Sequence, residues 1–234
     1  MKATLVLIGG GEIGNGETRP IDEKVRSLSS KDCPHVLFLP TASHDPESYV
    51  DAVKGAYGAL GCEVEALYLW EANPGLEELR SALNWADIVY IGGGNTKDLL
   101  MRLAATGFDR LLIEALDTRE DLIVAGLSAG ASMWCECSYA DCEISSGVSD
   151  QMVFLPCLDY LPVVFNPHAQ DELRAGFLSG LKGIKFRKAY SLENDTALII
   201  RNKKISEFVK GYSDKRGWEI YPTKNGNLRK VSLA

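Results

Sequence analysis

Up to Ala125 the chain alternates short apolar runs with stretches whose apolar residues recur at helical spacing. That alternation constrains the fold more than any other feature, because a buried parallel strand needs a helix to return the chain and cover the sheet. Strands are predicted at residues 4–8, 36–39, 63–69, 88–91 and 122–125, and helices at 46–60, 75–85, 96–106 and 108–117. Right-handed crossovers then give an α/β architecture, a doubly wound, mostly parallel sheet with helices on both faces. The last 60 or so residues differ. Strand-like runs at 196–200 and 218–221 are separated by Asn, Lys and Gly turns, which predicts a C-terminal β segment, either an antiparallel edge or a small appendage. With 234 residues, 46% of them hydrophobic, and no Pro/Ser-rich linker, one domain spanning 1–234 is expected.

In such sheets chemistry gathers in the loops at the carboxyl ends of the strands. Three of these loops carry glycine: Gly9-Gly10-Gly11, Gly92-Gly93-Gly94-Asn95, and Gly126-Leu127-Ser128-Ala129-Gly130. Gly-x-Ser-x-Gly alone is a weak pattern. Here it follows an apolar strand and precedes Ala131-Ser132-Met133-Trp134, which reads as the continuation of a helix. A serine between strand and helix, with glycines two residues to either side, is the sequence form of a nucleophile elbow. The alternative is an ordinary tight turn.

A serine hydroxyl needs a base, and histidine serves near neutral pH. The chain has three. His35 precedes its strand at the far end of the sheet, whereas His44 and His168 both follow strands and fall on the correct rim, so both stay candidates. The base needs an orienting acid. Glu136, Asp141, Glu143, Asp150 and Asp159 lie between elbow and His168, and spacing does not choose among them. One oxyanion donor is the N–H of Ala129; the glycines of 92–94 can supply a second from the neighbouring strand end.

The net charge of −7 is dispersed, which argues against nucleic acid or an anionic membrane as partner. The N-terminal apolar run is too short for a signal-peptide core or a membrane span, so a cytoplasmic protein is expected. Six cysteines without a secretory signal read as reduced thiols, and Cys135, Cys137, Cys142 and Cys157 match no common zinc spacing. Gly9-x-Gly11-x-x-Gly14 satisfies a dinucleotide fingerprint literally. Pro20 argues for continued loop rather than the helix such a site requires, so a loop walling the site is the preferred reading.

Taken in order, Gly92-Gly93-Gly94-Asn95-Thr96, Gly126-Leu127-Ser128-Ala129-Gly130-Ala131 with Trp134, and Asn166-Pro167-His168 resemble the peptidase E (aspartyl dipeptidase) and cyanophycinase family of serine peptidases. The likeness runs from the first strand, through Leu39-Pro40-Thr41-Ala42-Ser43, to Thr196-Ala197-Leu198. It implies a fold like class I glutamine amidotransferases and a triad in the order serine, acid, histidine. Ser128 would be the nucleophile, His168 the base, Asp141 the acid with Glu143 second, and Gly94 with Ala129 the oxyanion donors. Asn95 and Arg174 would bind substrate, Arg174 (or Lys182 behind it) reading a substrate carboxylate. The implied activity is a serine exopeptidase, a dipeptidase preferring N-terminal aspartate, with no metal or organic cofactor. Its partner would be a small peptide, without nucleic acid or membrane, and the protein a monomer or homodimer. Hydrolysis of β-aspartyl peptides, an amidase, and a catalytically silent small-molecule binding protein are the alternatives.

Overall fold

The computed structural model describes residues 1–211 and 214–233. In chain order the elements begin β1 (Thr4–Ile8), α1 (Arg19–Ser27), β2 (His35–Leu39), α2 (Glu47–Ala59), β3 (Glu63–Ala66), α3 (Leu76–Trp85), β4 (Ile88–Ile91), α4 (Thr96–Thr106), α5 (Phe108–Thr118), β5 (Ile123–Leu127) and α6 (Ala129–Ser132). They continue β6 (Cys135–Ala140), α7 (Cys142–Ser145), β7 (Val153–Pro156), β8 (Leu161–Asn166), α8 (Phe177–Leu181), β9 (Ala189–Leu192), β10 (Thr196–Arg201), β11 (Lys204–Lys210), β12 (Gly217–Pro222) and β13 (Leu228–Ser232).

The predicted parallel sheet is present, in the order β11-β10-β1-β5-β4-β2-β3. Its five central and outer strands β1, β5, β4, β2 and β3 run parallel, while β10 and β11 add an antiparallel edge. Because side chains alternate across a strand, both faces of this sheet must be covered. Leu5 and Leu7 of β1 join a core with Leu79, Leu103 and Leu112 from α3, α4 and α5. Val6 and Ile8 point the other way, onto Ile21, Val25, Val53 and Tyr57 of α1 and α2.

Three expectations need correction. A second sheet, β13-β12-β9-β8-β6-β7, takes up the chain after the elbow, so the C-terminal half is more than an edge or appendage. The helix after Ser128 lasts one turn before β6 begins, because Met133, Trp134 and Cys135 are drawn into the core between the sheets. Pro20 does not prolong a loop. It sits in the first turn of α1, where its missing N–H has no intrahelical partner to lose.

Register sets the site. Ile8 of β1 lies beside Leu127 of β5, and Gly126 beside Ile91 of β4, so the three glycine loops leave one rim side by side. β10 runs antiparallel to β1, with Ala197 opposite Ile8, so the segment entering β10 starts on that same rim.

Candidate active site

Ser128 has φ 50° and ψ −102°, a strained conformation for a residue with a side chain. The two elbow glycines make it possible. A Cβ on Gly126 would run into the Gly130 carbonyl, and one on Gly130 into the Ile91 carbonyl of β4. The turn is also pinned by the Ser128 N–H donating to the Ile8 carbonyl at 3.0 Å. Ser128 is thereby lifted, half-buried, to the rim of the sheet.

His168 follows β8 and is carried to the elbow by the second sheet. Its N–H donates to the Gly9 carbonyl at 2.9 Å, and the Ala169 N–H to Leu192 at 2.8 Å. Its Nε2 stands 2.8 Å from Ser128 Oγ. On the other side of the ring, Nδ1 is 2.7 Å from Asn194 Oδ1. An amide oxygen can only accept, so the neutral imidazole carries its proton on Nδ1 and presents the Nε2 lone pair to the serine hydroxyl. Burial pulls the His168 pKa below its ordinary value; Asn194 opposes this, and the nearby Arg174 charge adds to it.

The side chain that hydrogen-bonds to Nδ1 is therefore that of Asn194 and not that of Asp141. Asp141 turns its carboxylate to Arg174, 3.5 Å away, and Glu143 lies in α7; neither hydrogen-bonds to His168. Arg174, 6% exposed, also donates to the Tyr139 carbonyl, so its guanidinium is committed inside the protein rather than to the cavity at Ser128. Lys182 is exposed beyond α8. Asn95 is likewise structural. It caps α4 by accepting from Lys97 and Asp98, and it ties α4 to α7 through the Cys142 carbonyl and the Ser145 and Ser146 hydroxyls. Of the other histidines, His35 stacks on Trp85 at the opposite end of β2. His44 lies against Trp70 with its Nε2 2.8 Å from Asp98.

Asn194 went unpredicted because it sits outside the span between elbow and histidine. Its signal was topological. An antiparallel edge strand starting at residue 196 must begin on the catalytic rim, which makes the polar run Glu193-Asn194-Asp195 a source of site residues. The first glycine loop has a related purpose. A Cβ on Gly10 would collide with His168 Nδ1 and with Asn194 Oδ1, so the loop is glycine where the imidazole–amide pair passes against it.

In the Gly92–Gly94 loop, the Gly92 N–H is taken by the Leu39 carbonyl at 2.9 Å and the Gly93 N–H by Tyr49 Oη at 3.1 Å. Among the described residues no hydrogen bond uses the N–H of Gly94 or of Ala129. Gly94 and Ser128 face a cavity of about 540 Å³, whose wall also includes Glu12, Tyr49, Leu127 and His168. No group of three His, Cys, Asp or Glu side chains is placed to hold a metal ion among the described residues, and no helix of the described residues is long and apolar enough to cross a membrane.

An α/β sheet with a serine on a nucleophile elbow and a histidine at hydrogen-bonding distance defines the class, a hydrolytic enzyme. The chain belongs to peptidase family S51, whose family model matches residues 5–208, and it is accordingly a peptidase. It is 28% identical over 225 residues to the uncharacterized peptidase YgaJ of Bacillus subtilis, covering 94% of this chain and 92% of that one. Over 98 residues it is 35% identical to peptidase E of Streptomyces coelicolor, 42% of this chain and 37% of the relative. The structure described as a "Putative Peptidase E Protein from Listeria monocytogenes EGD-e" superposes with TM-score 0.67 at 25% identity, covering 90% of this chain and 99% of that one. A peptidase from an acI-B1 Actinobacterium shares the fold with TM-score 0.76 at 17% identity, covering 100% and 97%.

Proposed function

We propose that the protein is a serine exopeptidase of short peptides, a dipeptidase in its simplest form, working through Ser128, His168 and Asn194. The observation that carries this reading is the 2.8 Å contact between His168 Nε2 and Ser128 Oγ at the wall of an open cavity. Ser128 Oγ attacks the scissile carbonyl while its proton passes to Nε2. The N–H groups of Gly94 and Ala129, without acceptors among the described residues, receive the developing oxyanion. Collapse of the tetrahedral intermediate expels the amine, which takes the proton from Nε2. Water then repeats the sequence on the acyl-enzyme.

Asn194 acts as a positioning residue. Its amide oxygen fixes the ring tautomer without the negative charge that an aspartate would bring, an arrangement also used by Cys-His-Asn peptidases. A preference for an N-terminal aspartate through Arg174 would require that guanidinium to leave Asp141 and Tyr139. Two experiments test the reading together: covalent labelling of Ser128 by a serine-reactive phosphonate, and a dipeptide panel with varied first residue. Labelling with turnover of at least one dipeptide supports it; turnover retained in Ser128→Ala refutes it.

A further inference from the structure

With Arg174 turned inward, the charge that faces the cavity at Ser128 is negative. Among the described residues its wall, which includes Tyr49, Gly94, Ser128 and His168, carries one permanently charged side chain, that of Glu12. Its position is fixed by the same loop that meets the catalytic pair: the Gly9 carbonyl accepts from His168 N–H, and the Gly10 carbonyl from Asp195 N–H at 3.1 Å. Among the described residues the Glu12 carboxylate accepts only a long bond, from the Gly14 N–H at 3.4 Å, and no salt bridge engages it. Its carboxylate therefore keeps most of its acceptor capacity.

Gly14, Ser48 and Ala52 also line a second space of about 700 Å³ beside this cavity. That space adds Asp22 and Asp51 to the wall, against Arg19, which is paired with Glu23 at 2.9 Å. Asp22 lies buried beneath Thr18 and Tyr57, both of which donate to it, and burial pushes its pKa up to about 7. Among the described residues, Glu12 and Asp51 are thus the exposed carboxylates lining the two spaces.

Given peptide hydrolysis at Ser128, on which this rests, we infer that Glu12 is a specificity-determining residue that binds an ammonium group of the substrate. The chemistry is an N–H···carboxylate bond from a cation, available either from the free α-amine of a short peptide or from a lysine side chain. An α-amine fits an exopeptidase best, because it lies within one residue of the scissile bond and is present whatever the side chains. Recognition of that group would make the enzyme count from the N-terminus without a pocket for any particular first residue.

The test uses wild type and Glu12→Gln on three matched substrates: a neutral short peptide with a free N-terminus, the same peptide N-acetylated, and an N-acetylated peptide with lysine in the first position. A charge-assisted hydrogen bond at a partly solvated site corresponds to about a tenfold preference in kcat/KM. Wild type is expected to favour the free amine over the acetylated neutral peptide by that factor, through KM. Glu12→Gln brings the ratio near one, and Glu12→Lys inverts it. If the acetylated lysine peptide recovers the preference and loses it in Glu12→Gln, a side-chain ammonium is also accepted at Glu12. Equal use of free and acetylated peptides by wild type, or a preference that survives Glu12→Gln, overturns the role of Glu12 while leaving peptide hydrolysis at Ser128 in place. If none of the three is cleaved and Ser128 takes no phosphonate label, the hydrolase reading fails, and the role of Glu12 with it.

Discussion

Asn194 Oδ1 lies 2.7 Å from His168 Nδ1, so the group that holds the imidazole is a neutral amide. A carboxylate there would stabilise the imidazolium more strongly than the amide does, because the amide brings a hydrogen bond without a negative charge. Burial already holds the His168 pKa below its ordinary value. The base must be neutral to accept the serine proton, so a depressed pKa keeps it competent further into acid. Asn194→Asp introduces a negative charge at the ring, favours the protonated form and raises that pKa. The acid limb of kcat/KM against pH is expected to move to higher pH in Asn194→Asp. Asn194→Ala, which leaves Nδ1 without its acceptor, should lose about 10- to 1,000-fold in kcat with a smaller change in KM. A pH profile unchanged in Asn194→Asp would remove Asn194 from the role of positioning residue.

Replacing the nucleophile gives the sharpest loss. Ser128→Ala removes the attacking oxygen but adds no bulk, and alanine accepts the strained φ no worse than serine does. Steady-state turnover should fall by at least about 10³-fold, with the residual rate due to the oxyanion donors and binding alone. Thermal melting should be unchanged or slightly raised, since strain and polarity at such sites are commonly held at the expense of stability.

Gly10 offers a test of how closely the first loop is fitted to the catalytic pair. In Gly10→Ala the new methyl must occupy space held by His168 Nδ1 and Asn194 Oδ1. One of the two has to move, and displacement by about an ångström at a base is sufficient to cost about 100-fold. The expected result is a large fall in kcat in a protein that still folds, with phosphonate labelling of Ser128 slowed in proportion. A Gly10→Ala variant with wild-type kcat would mean that the pair tolerates displacement.

These dependencies explain why some of the site could be read from sequence and some could not. Ser128 was legible because the elbow is local: two glycines and an apolar strand within nine residues impose the turn. The β1, β4 and α4 boundaries were legible for the same reason, since periodicity is encoded within each segment. α1 was hidden by Pro20, which reads as a breaker unless its place in the first turn is known. β6 was hidden because Cys135–Ala140 mixes Glu and Ser with apolar residues; Ser138 is buried only because its hydroxyl bonds to Ser132 at 2.9 Å. Asn194 and Arg174 depended on how two sheets meet, which no local pattern reports. Arg174 was expected to read a substrate carboxylate and is in fact buried against Asp141.

The Arg174–Asp141 pair yields a final, asymmetric prediction. Arg174 is 4% exposed in its side chain, while Asp141 is 44% exposed, so the two partners stand in different solvents. Removing Asp141 as Asp141→Asn leaves a buried guanidinium whose charge is no longer balanced, a loss of about 2–4 kcal/mol. Removing Arg174 as Arg174→Gln leaves a carboxylate that water can solvate, together with the unpaired Tyr139 carbonyl, and the loss should be nearer about 1–2 kcal/mol. Denaturant melts of the two variants and the double variant read this directly, with Asp141→Asn the less stable single variant. Enzymatically the signs oppose each other. The Arg174 charge lowers the His168 pKa and the Asp141 charge raises it. The acid limb of activity should therefore move to higher pH in Arg174→Gln and to lower pH in Asp141→Asn. A carboxylate acting directly on the imidazole would make Asp141→Asn lose most of its kcat at every pH, and that outcome would restore Asp141 as the orienting acid in place of Asn194.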